Sequence, residues 1–338
     1  MLLIDHLPNT NPNDKDPILL NGTANKELAQ AVAEALGIPL SSREIDRFPD
    51  GEVHFRIGES VRGRDAYVIQ STCPPVNEHL MELFIIIDTL RRASAASITA
   101  IIPYYGYARQ DRKIAGREPI TAKLIANLIE AAGASRVLCV DLHSPAIQGF
   151  FEIGMDHMTA VHTLAHHIRQ LDLMDGVVIS PDTGGVKRAD AFASVLGLPL
   201  AILHKRRQDA KTVEMRAVIG DVRGKRAILV DDIIATGGTI SKATDELLNA
   251  GALEDITIVA THGVLAGSAI AKLSHPAIKR VIITDSIPVS AEVCAKLPSL
   301  QVVSLATLIA QAITRLHHKE SLSELFTHTD ESLRPWQQ

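Results

Sequence analysis

A chain of 338 residues is long enough for two domains of ordinary size, each burying a core of its own. Its net charge of -5 and isoelectric point near 6.3 argue against a bulk binder of nucleic acid or of anionic membrane. Three cysteines, Cys73, Cys139 and Cys294, are too few and too scattered for a disulfide framework or a zinc site, which fits a reducing cytoplasm.

The opening residues, MLLIDHLPNTNPNDKD, lack a cationic segment leading into an apolar one, so they are expected to form a polar, loose tail and not a signal peptide. No apolar run approaches the length needed to span a bilayer. Beyond the tail, strand patterns fall at Ile18 to Asn21, Tyr67 to Gln70, Ile98 to Ile102, Val137 to Asp141, Val177 to Ser180, Ala201 to Leu203, Ile228 to Val230, Ile256 to Ala260 and Val281 to Thr284. Helical patterns lie between them, at Asn25 to Leu36, His79 to Ala95, Ala122 to Ala132, Lys187 to Leu196 and Lys242 to Ala250. This alternation predicts an α/β protein with parallel sheets and helices on both faces. The segments VRGRDAYVIQST from Val61 and VRGKRAILVDDI from Val222 echo each other and are followed by similar patterns, so the chain reads as a duplication.

Ligands of such sheets collect at the carboxyl ends of strands, and those ends are polar here. The clearest is ILVDDIIATGGTI, where an apolar strand runs into Asp231 and Asp232 and then into Thr236, Gly237, Gly238 and Thr239 before a helix. Glycines let the backbone turn tightly and aim N–H groups at an anion, and the helix N-terminus adds its positive dipole end. Two adjacent carboxylates tolerate that anion when a cation or sugar hydroxyls stand between, so a polyhydroxylated phosphate ester is the expected ligand.

Arg109, Gln110, Asp111, Arg112 and Lys113 follow a Gly-Tyr turn; the guanidinium groups suit polyphosphate oxygens, although alone the cluster also reads as a solvated charge run. Lys205, Arg206 and Arg207 open a second basic loop, able to neutralise charge on a transferring phosphoryl group, ahead of the strand-like MRAVIG. Asp141 and His143 in VDLHS could meet metal or phosphate, although Mg²⁺ prefers oxygen and a lone histidine is more often structural; Asp182 in SPDTGG is the better candidate, because it precedes a second glycine pair and helix. In RFPDGEVHFRI the Pro-Asp-Gly turn predicts a hairpin, with Phe48 as an exposed stacking surface.

Taken in order, FPDGE, YYGYARQDRK, DLHSPAIQGFF, SPDTGGVKRA, HKRR, VDDIIATGGT and ESLSELF resemble the ribose-phosphate pyrophosphokinase family, class I-like, from about Pro17 to Phe326. The resemblance implies two tandem type-I phosphoribosyltransferase-like domains, each a mainly parallel sheet flanked by helices. Residues 17–160 would form the ATP side with the oligomer contacts and residues 161–326 the ribose 5-phosphate side, with tails at 1–16 and 327–338. It also implies Mg²⁺-dependent transfer of a diphosphoryl group from ATP to the C1 hydroxyl of ribose 5-phosphate. Carried over by motif, Asp231, Asp232 and Ala235 to Thr239 would hold ribose 5-phosphate, while Arg109, Gln110 and Asp111 would hold ATP. Phe48, Asp50 and Glu52 would complete the adenine pocket of a neighbour in a homo-hexamer. His143 and Asp182 would match the metal contacts, and Lys205 and Arg207 the catalytic loop. Ser60, Arg62, Arg117, Ser321, Ser323 and Phe326 would form a regulatory site for ADP and inorganic phosphate.

Two positions depart from the pattern: Ala235 stands where many members carry Asp, and Ala146 where a polar residue is common. They motivate an alternative reading, a non-catalytic homologue that assembles with active subunits, against which the retained Lys205, Arg207, Arg109, His143, Asp182, Asp231 and Asp232 weigh. A nucleobase phosphoribosyltransferase would share VDDIIATGGT but leave the ARQDRK cluster and the duplicated half unexplained. No G-x-x-x-x-G-K-[ST] occurs, which sets aside a P-loop kinase.

Overall fold

A computed structural model describes residues 16–171, 173, 175–206 and 215–327. Nearly all of both expected tails and the catalytic candidate Arg207 lie outside the described residues.

The first half runs β1 (Ile18–Asn21), α1 (Lys26–Leu36), β2 (Arg43–Arg47), β3 (Val53–Ile57), β4 (Asp65–Ile69), α2 (Val76–Arg92), β5 (Ser97–Ile102), α3 (Thr121–Ala132), β6 (Arg136–Val140), a 3-10 turn (Pro145–Phe150) and β7 (Gly154–Met158). Its main sheet has the order β1-β4-β5-β6-β7 with every pair parallel, while β2 and β3 form a separate antiparallel hairpin. The second half runs α4 (Val161–Arg169), β8 (Val177–Ser180), α5 (Val186–Leu196), β9 (Leu200–Arg206), β10 (Met215–Ile219), β11 (Ala227–Ile234), α6 (Gly238–Asn249), β12 (Ile256–Gly263), α7 (Ala269–Leu273), β13 (Ile278–Thr284), α8 (Ala291–Lys296), β14 (Leu300–Val303), α9 (Ala306–His317) and α10 (Glu324–Thr327). Its sheet order is β10-β9-β8-β11-β12-β13-β14, parallel except at β10.

Alternation along the strands divides the core into layers. Leu19 and Val230 face a central cluster, whereas Ile18, Leu20, Ala227 and Leu229 face outer clusters belonging to one sheet or the other. The central cluster is shared between the halves: α1 buries Leu28, Ala29, Val32 and Ala33, and α9 buries Ile309, Ala310, Ala312 and Ile313 into it. Phe192 of α5 is almost fully buried there, and truncating such a side chain to Ala costs about 3–5 kcal/mol. Helix α1 starts where Asn25 accepts the Leu28 N–H at 3.1 Å and stops at Gly37, whose φ of 69° leaves the helical region.

Two features differ from the sequence expectation. Strands β7 and β14 carry no continuous apolar run because they are edge strands, exposed along part of their length. Strand β11 does not stop at Val230: β12 is equally long and pairs onward through Asp231, Ile233 and Ile234, so the acidic pair sits on the strand itself.

Candidate active site

Strand alternation turns the side chains of Asp231 and Asp232 in opposite directions, and their environments diverge accordingly. Asp232 is buried, with Oδ2 at 2.6 Å from His143 Nδ1 and Oδ1 at 3.2 Å from Arg188 Nη1. Asp231 lies 3.7 Å from the same guanidinium and accepts the Asp232 N–H through Oδ1 at 2.9 Å. Burial pushes the Asp232 carboxyl up, but the His143 bond and the Arg188 charge outweigh it and hold the group well below the usual carboxylate range. Burial, and then the neighbouring Asp232 charge, push Asp231 up to about 7. His143 is raised by its bond to Asp232, with burial opposing. Near neutrality the pair therefore holds a firm charge on Asp232 and a readily gained proton on Asp231.

The bond from His143 to Asp232 joins the two halves of the chain, since His143 follows β6 and Asp232 lies on β11. A cleft at this junction is lined by Tyr104, Arg109, His143, Asp232 and His262, among others. Arg109 thus lines the same opening as Asp232. Gln110 turns aside, its Oε1 accepting the Thr121 hydroxyl at 2.5 Å at the start of α3.

Below the carboxylates, the turn from Ala235 to Gly238 leads into α6. Gly237 has φ 70°, a left-handed conformation that favours glycine, and Gly238 opens the helix, whose first N–H groups have no partner within it. The turn is held from behind: Leu265 N–H meets the Ile234 carbonyl at 3.0 Å, Ala266 N–H the Ala235 carbonyl at 2.8 Å, and Lys272 Nζ the Thr236 carbonyl at 3.1 Å. With its carbonyls turned away, the loop presents donors to an anion. Ala235 contributes backbone to this cradle, which needs no side chain from it.

Asp182 is used locally. Its Oδ1 accepts the N–H groups of Gly184 at 2.8 Å and Gly185 at 2.9 Å, shaping the turn into α5. Among the described residues no group of three or more His, Cys, Asp or Glu side chains forms a ready metal cage. The donors present suit a hard cation that keeps water and substrate oxygens for most of its shell.

Several expected site residues are not gathered into this cleft. Phe48, Asp50 and Glu52 sit on the β2–β3 hairpin, where the Phe48 N–H meets the Glu52 carbonyl at 2.9 Å and Phe48 is 51% exposed. Arg62 donates to Ser94 Oγ at 3.1 Å, Arg117 has φ 67°, and Ser321 Oγ accepts the Ser323 N–H at 3.1 Å; Ser60 is exposed and Phe326 lies on α10. Lys205 lies near the end of β9 opposite Arg216.

Arg188, Lys272, Thr261 and His262 were invisible as site residues in the sequence. For Arg188 the available signal was its place in SPDTGGVKRA, in the first turn of the helix after a glycine turn.

Two parallel-sheet halves, with a strand-borne acidic pair running into a glycine turn and helix, define tandem type-I phosphoribosyltransferase-like domains. A family model described as the N-terminal domain of ribose phosphate pyrophosphokinase matches residues 17–133, and one described as a phosphoribosyl synthetase-associated domain matches residues 210–327. The chain is 54% identical over 310 residues to the ribose-phosphate pyrophosphokinase of Caldanaerobacter subterraneus, covering 91% of this chain and 97% of that one. It is 47% identical over 314 residues to the Bacillus subtilis protein of the same name, covering 93% and 98% respectively. The crystal structure of phosphoribosylpyrophosphate synthetase from Mycobacterium smegmatis superposes with a TM-score of 0.84 at 44% identity, over 90% of this chain and 100% of that one. The chain belongs to the ribose-phosphate pyrophosphokinase family.

Proposed function

We propose that the protein transfers the β,γ-diphosphoryl group of ATP to the C1 hydroxyl of ribose 5-phosphate, giving 5-phosphoribosyl 1-diphosphate and AMP for nucleotide biosynthesis. The observation that carries this reading is the bridge from His143 to Asp232, which sets an arginine-bearing cleft wall from the first half against Asp232 of the second, on the strand that runs into the glycine turn. The turn from Ala235 to Thr239 takes the sugar 5-phosphate on its N–H groups, and Asp231 and Asp232 accept the ribose hydroxyls. Arg109 and Asp111 belong to the nucleotide side, and His143, beside the carboxylates, faces phosphate oxygens. Lys205 and Arg207 neutralise charge as the diphosphoryl group moves. The reaction asks the chain mainly to align an attacking hydroxyl with the β-phosphorus and to balance charge, and no covalent intermediate is needed. Magnesium, held through His143, Asp182 and substrate oxygens, would supply charge neutralisation at the phosphates.

An oligomer is part of the proposal. Ile120, Leu124 and Leu128 form an exposed apolar stripe along α3, and Phe48 stands exposed outside this chain's own cleft. Both support contacts with further subunits, and we place them in a homo-hexamer in which the hairpin serves a neighbour. ADP and inorganic phosphate would act at the segment carrying Ser60, Arg62, Arg117, Ser321, Ser323 and Phe326. Free cysteines, two of them buried, support a reducing cytoplasm; no helix among the described residues is long and apolar enough to cross a membrane.

Phosphorus NMR of the purified protein with ATP, Mg²⁺ and ribose 5-phosphate tests the reading, with each component omitted in turn. Appearance of AMP together with phosphoribosyl diphosphate is the expected result. Folded protein without turnover, with or without added phosphate, would instead favour a regulatory homologue that needs a catalytic partner.

A further inference from the structure

His143 reaches Asp232 from a bent backbone, and the bend is gripped from the opposite half. Asp141, two residues before His143, has φ 38°, a left-handed value that costs a non-glycine residue energy and persists where surrounding contacts enforce it. Its N–H meets the Met158 carbonyl at 2.9 Å, and its Oδ2 accepts the Ala160 N–H at 3.0 Å, both within its own half. From β12 of the other half, the buried Thr261 hydroxyl donates to the same Oδ2 at 2.6 Å. The adjacent His262, also buried, places Nε2 at 3.1 Å from the carbonyls of both Val140 and Asp141. Carbonyls only accept, so Nε2 carries the proton, and Nδ1 then faces the Ser286 hydroxyl at 2.8 Å as acceptor.

The internal repeat separates what the fold requires from what is added. Asp285 occupies in the second half the place Asp141 holds in the first. Its N–H meets the Val303 carbonyl at 3.1 Å, and its Oδ1 accepts the Leu305 N–H at 2.8 Å. Asp285 does not have a positive φ, and among the described residues no hydroxyl from the first half is bonded to its carboxylate; the first half holds this position by its backbone instead, Asn25 Nδ2 donating to the Asp285 carbonyl at 2.6 Å and the Ser71 hydroxyl to the Ser286 carbonyl. The shared bonds are therefore scaffold, whereas the positive φ and the Thr261 bond occur in the half that bears His143.

We infer that Thr261 and His262 are positioning residues for diphosphoryl transfer: they clamp Val140–Asp141 across the junction, so that His143 is aimed at Asp232 and the nucleotide and ribose half-sites stay in register. This rests on the reading that His143 faces the reacting phosphates.

Thr261→Val removes the hydroxyl and keeps the branched shape. Because it acts through another residue, it should lower kcat roughly 10–100-fold while leaving the KM for ribose 5-phosphate nearly unchanged, and Thr261→Ser should restore most of the rate. A double-mutant cycle with His143→Ala gives the decisive comparison, since coupled residues lose rate together whereas independent ones multiply their losses. The expected result is that Thr261→Val adds little to His143→Ala. Multiplying losses would overturn the inference, as would wild-type kcat in Thr261→Val. Equal damage in Thr261→Ser and Thr261→Val, with a matching fall in melting temperature, would assign Thr261 to packing and also overturn it. Wild-type turnover in His143→Ala would remove the reading of the site as well; slow His143→Ala beside fast Thr261→Val would remove the clamp alone.

Discussion

Sheet order runs β1-β4-β5-β6-β7 in the first half and β8-β11-β12-β13-β14 in the second, so each strand has a counterpart at the same place in the repeat. The hairpins correspond too, although β9–β10 is hydrogen-bonded onto its sheet through β8 while β2–β3 stands apart. What differs is the loop chemistry on these matching strands. After β11 comes Gly237 at φ 70° and a helix opening on Gly238; after β4 the corresponding helix cap is Pro75, which has no N–H to offer an anion. The third residue of α5 is Arg188, paired with the carboxylates, while the third residue of α1 is Leu28, buried in the core. One scaffold has thus kept a phosphate turn and its Arg188 in one copy and put Arg109 at the cleft in the other. Strand-end loops can diverge in this way because the buried strands, not the loops, carry the core.

Exchanging residues between the copies should expose how much each difference matters. Arg188→Leu imports the residue of the first half and removes the guanidinium shared by the buried Asp232 and the half-buried Asp231. We expect a destabilisation of about 3 kcal/mol and a fall in kcat/KM of at least about 100-fold, measured by urea unfolding and steady-state kinetics. A stable, active variant would show that His143 alone balances the pair. Gly237→Ala removes the freedom that Pro75 has already forfeited in the first half. The new Cβ would lie 3.4 Å from Ala269 Cα in a left-handed conformation, so a loss of about 1–2 kcal/mol is expected, with a raised KM for ribose 5-phosphate and an unchanged KM for ATP.

The acidic pair also gives the second half a pH signature. Asp231 ordinarily titrates near 3.8 and is pushed to about 7, so between these values the folded protein binds more protons than the unfolded chain. Stability from this group is therefore lost as pH rises across that window. The raised His143 acts in the same sense from its ordinary 6.5 upward, whereas the depressed Asp232 stabilises above its ordinary 3.8 and loses that contribution as pH falls. Asp231→Asn should flatten the decline in unfolding free energy between about pH 5 and about pH 7. An unaltered slope would place the raised proton affinity elsewhere. The smallest effect is expected for Ala235→Asp: the fold should stay intact, since Ala235 is partly exposed and its carbonyl already has a partner, while the KM for ribose 5-phosphate shifts by roughly two- to fivefold. Superimposable saturation curves would make this position neutral.

Much of the architecture was legible in the chain itself. Apolar runs at Ile98, Val137, Val177 and Ile256 mark buried parallel strands because both faces of each are covered, and glycine with adjacent acids marks the phosphate turn because few residues permit that backbone. The duplication was visible because equivalent strands keep equivalent apolar spacing. Tertiary structure decided what spacing cannot encode. Asp231 and Asp232 look alike in sequence, and only the strand's continuation past Val230 buries Asp232 against His143 and Arg188 while leaving Asp231 half-buried and more distant from the same guanidinium. Arg188 and Thr261 became site residues through contacts spanning 44 and 120 positions of chain. Local sequence governs which backbone shapes are affordable, whereas charge pairing and burial depend on which distant segments packing brings within a few ångströms.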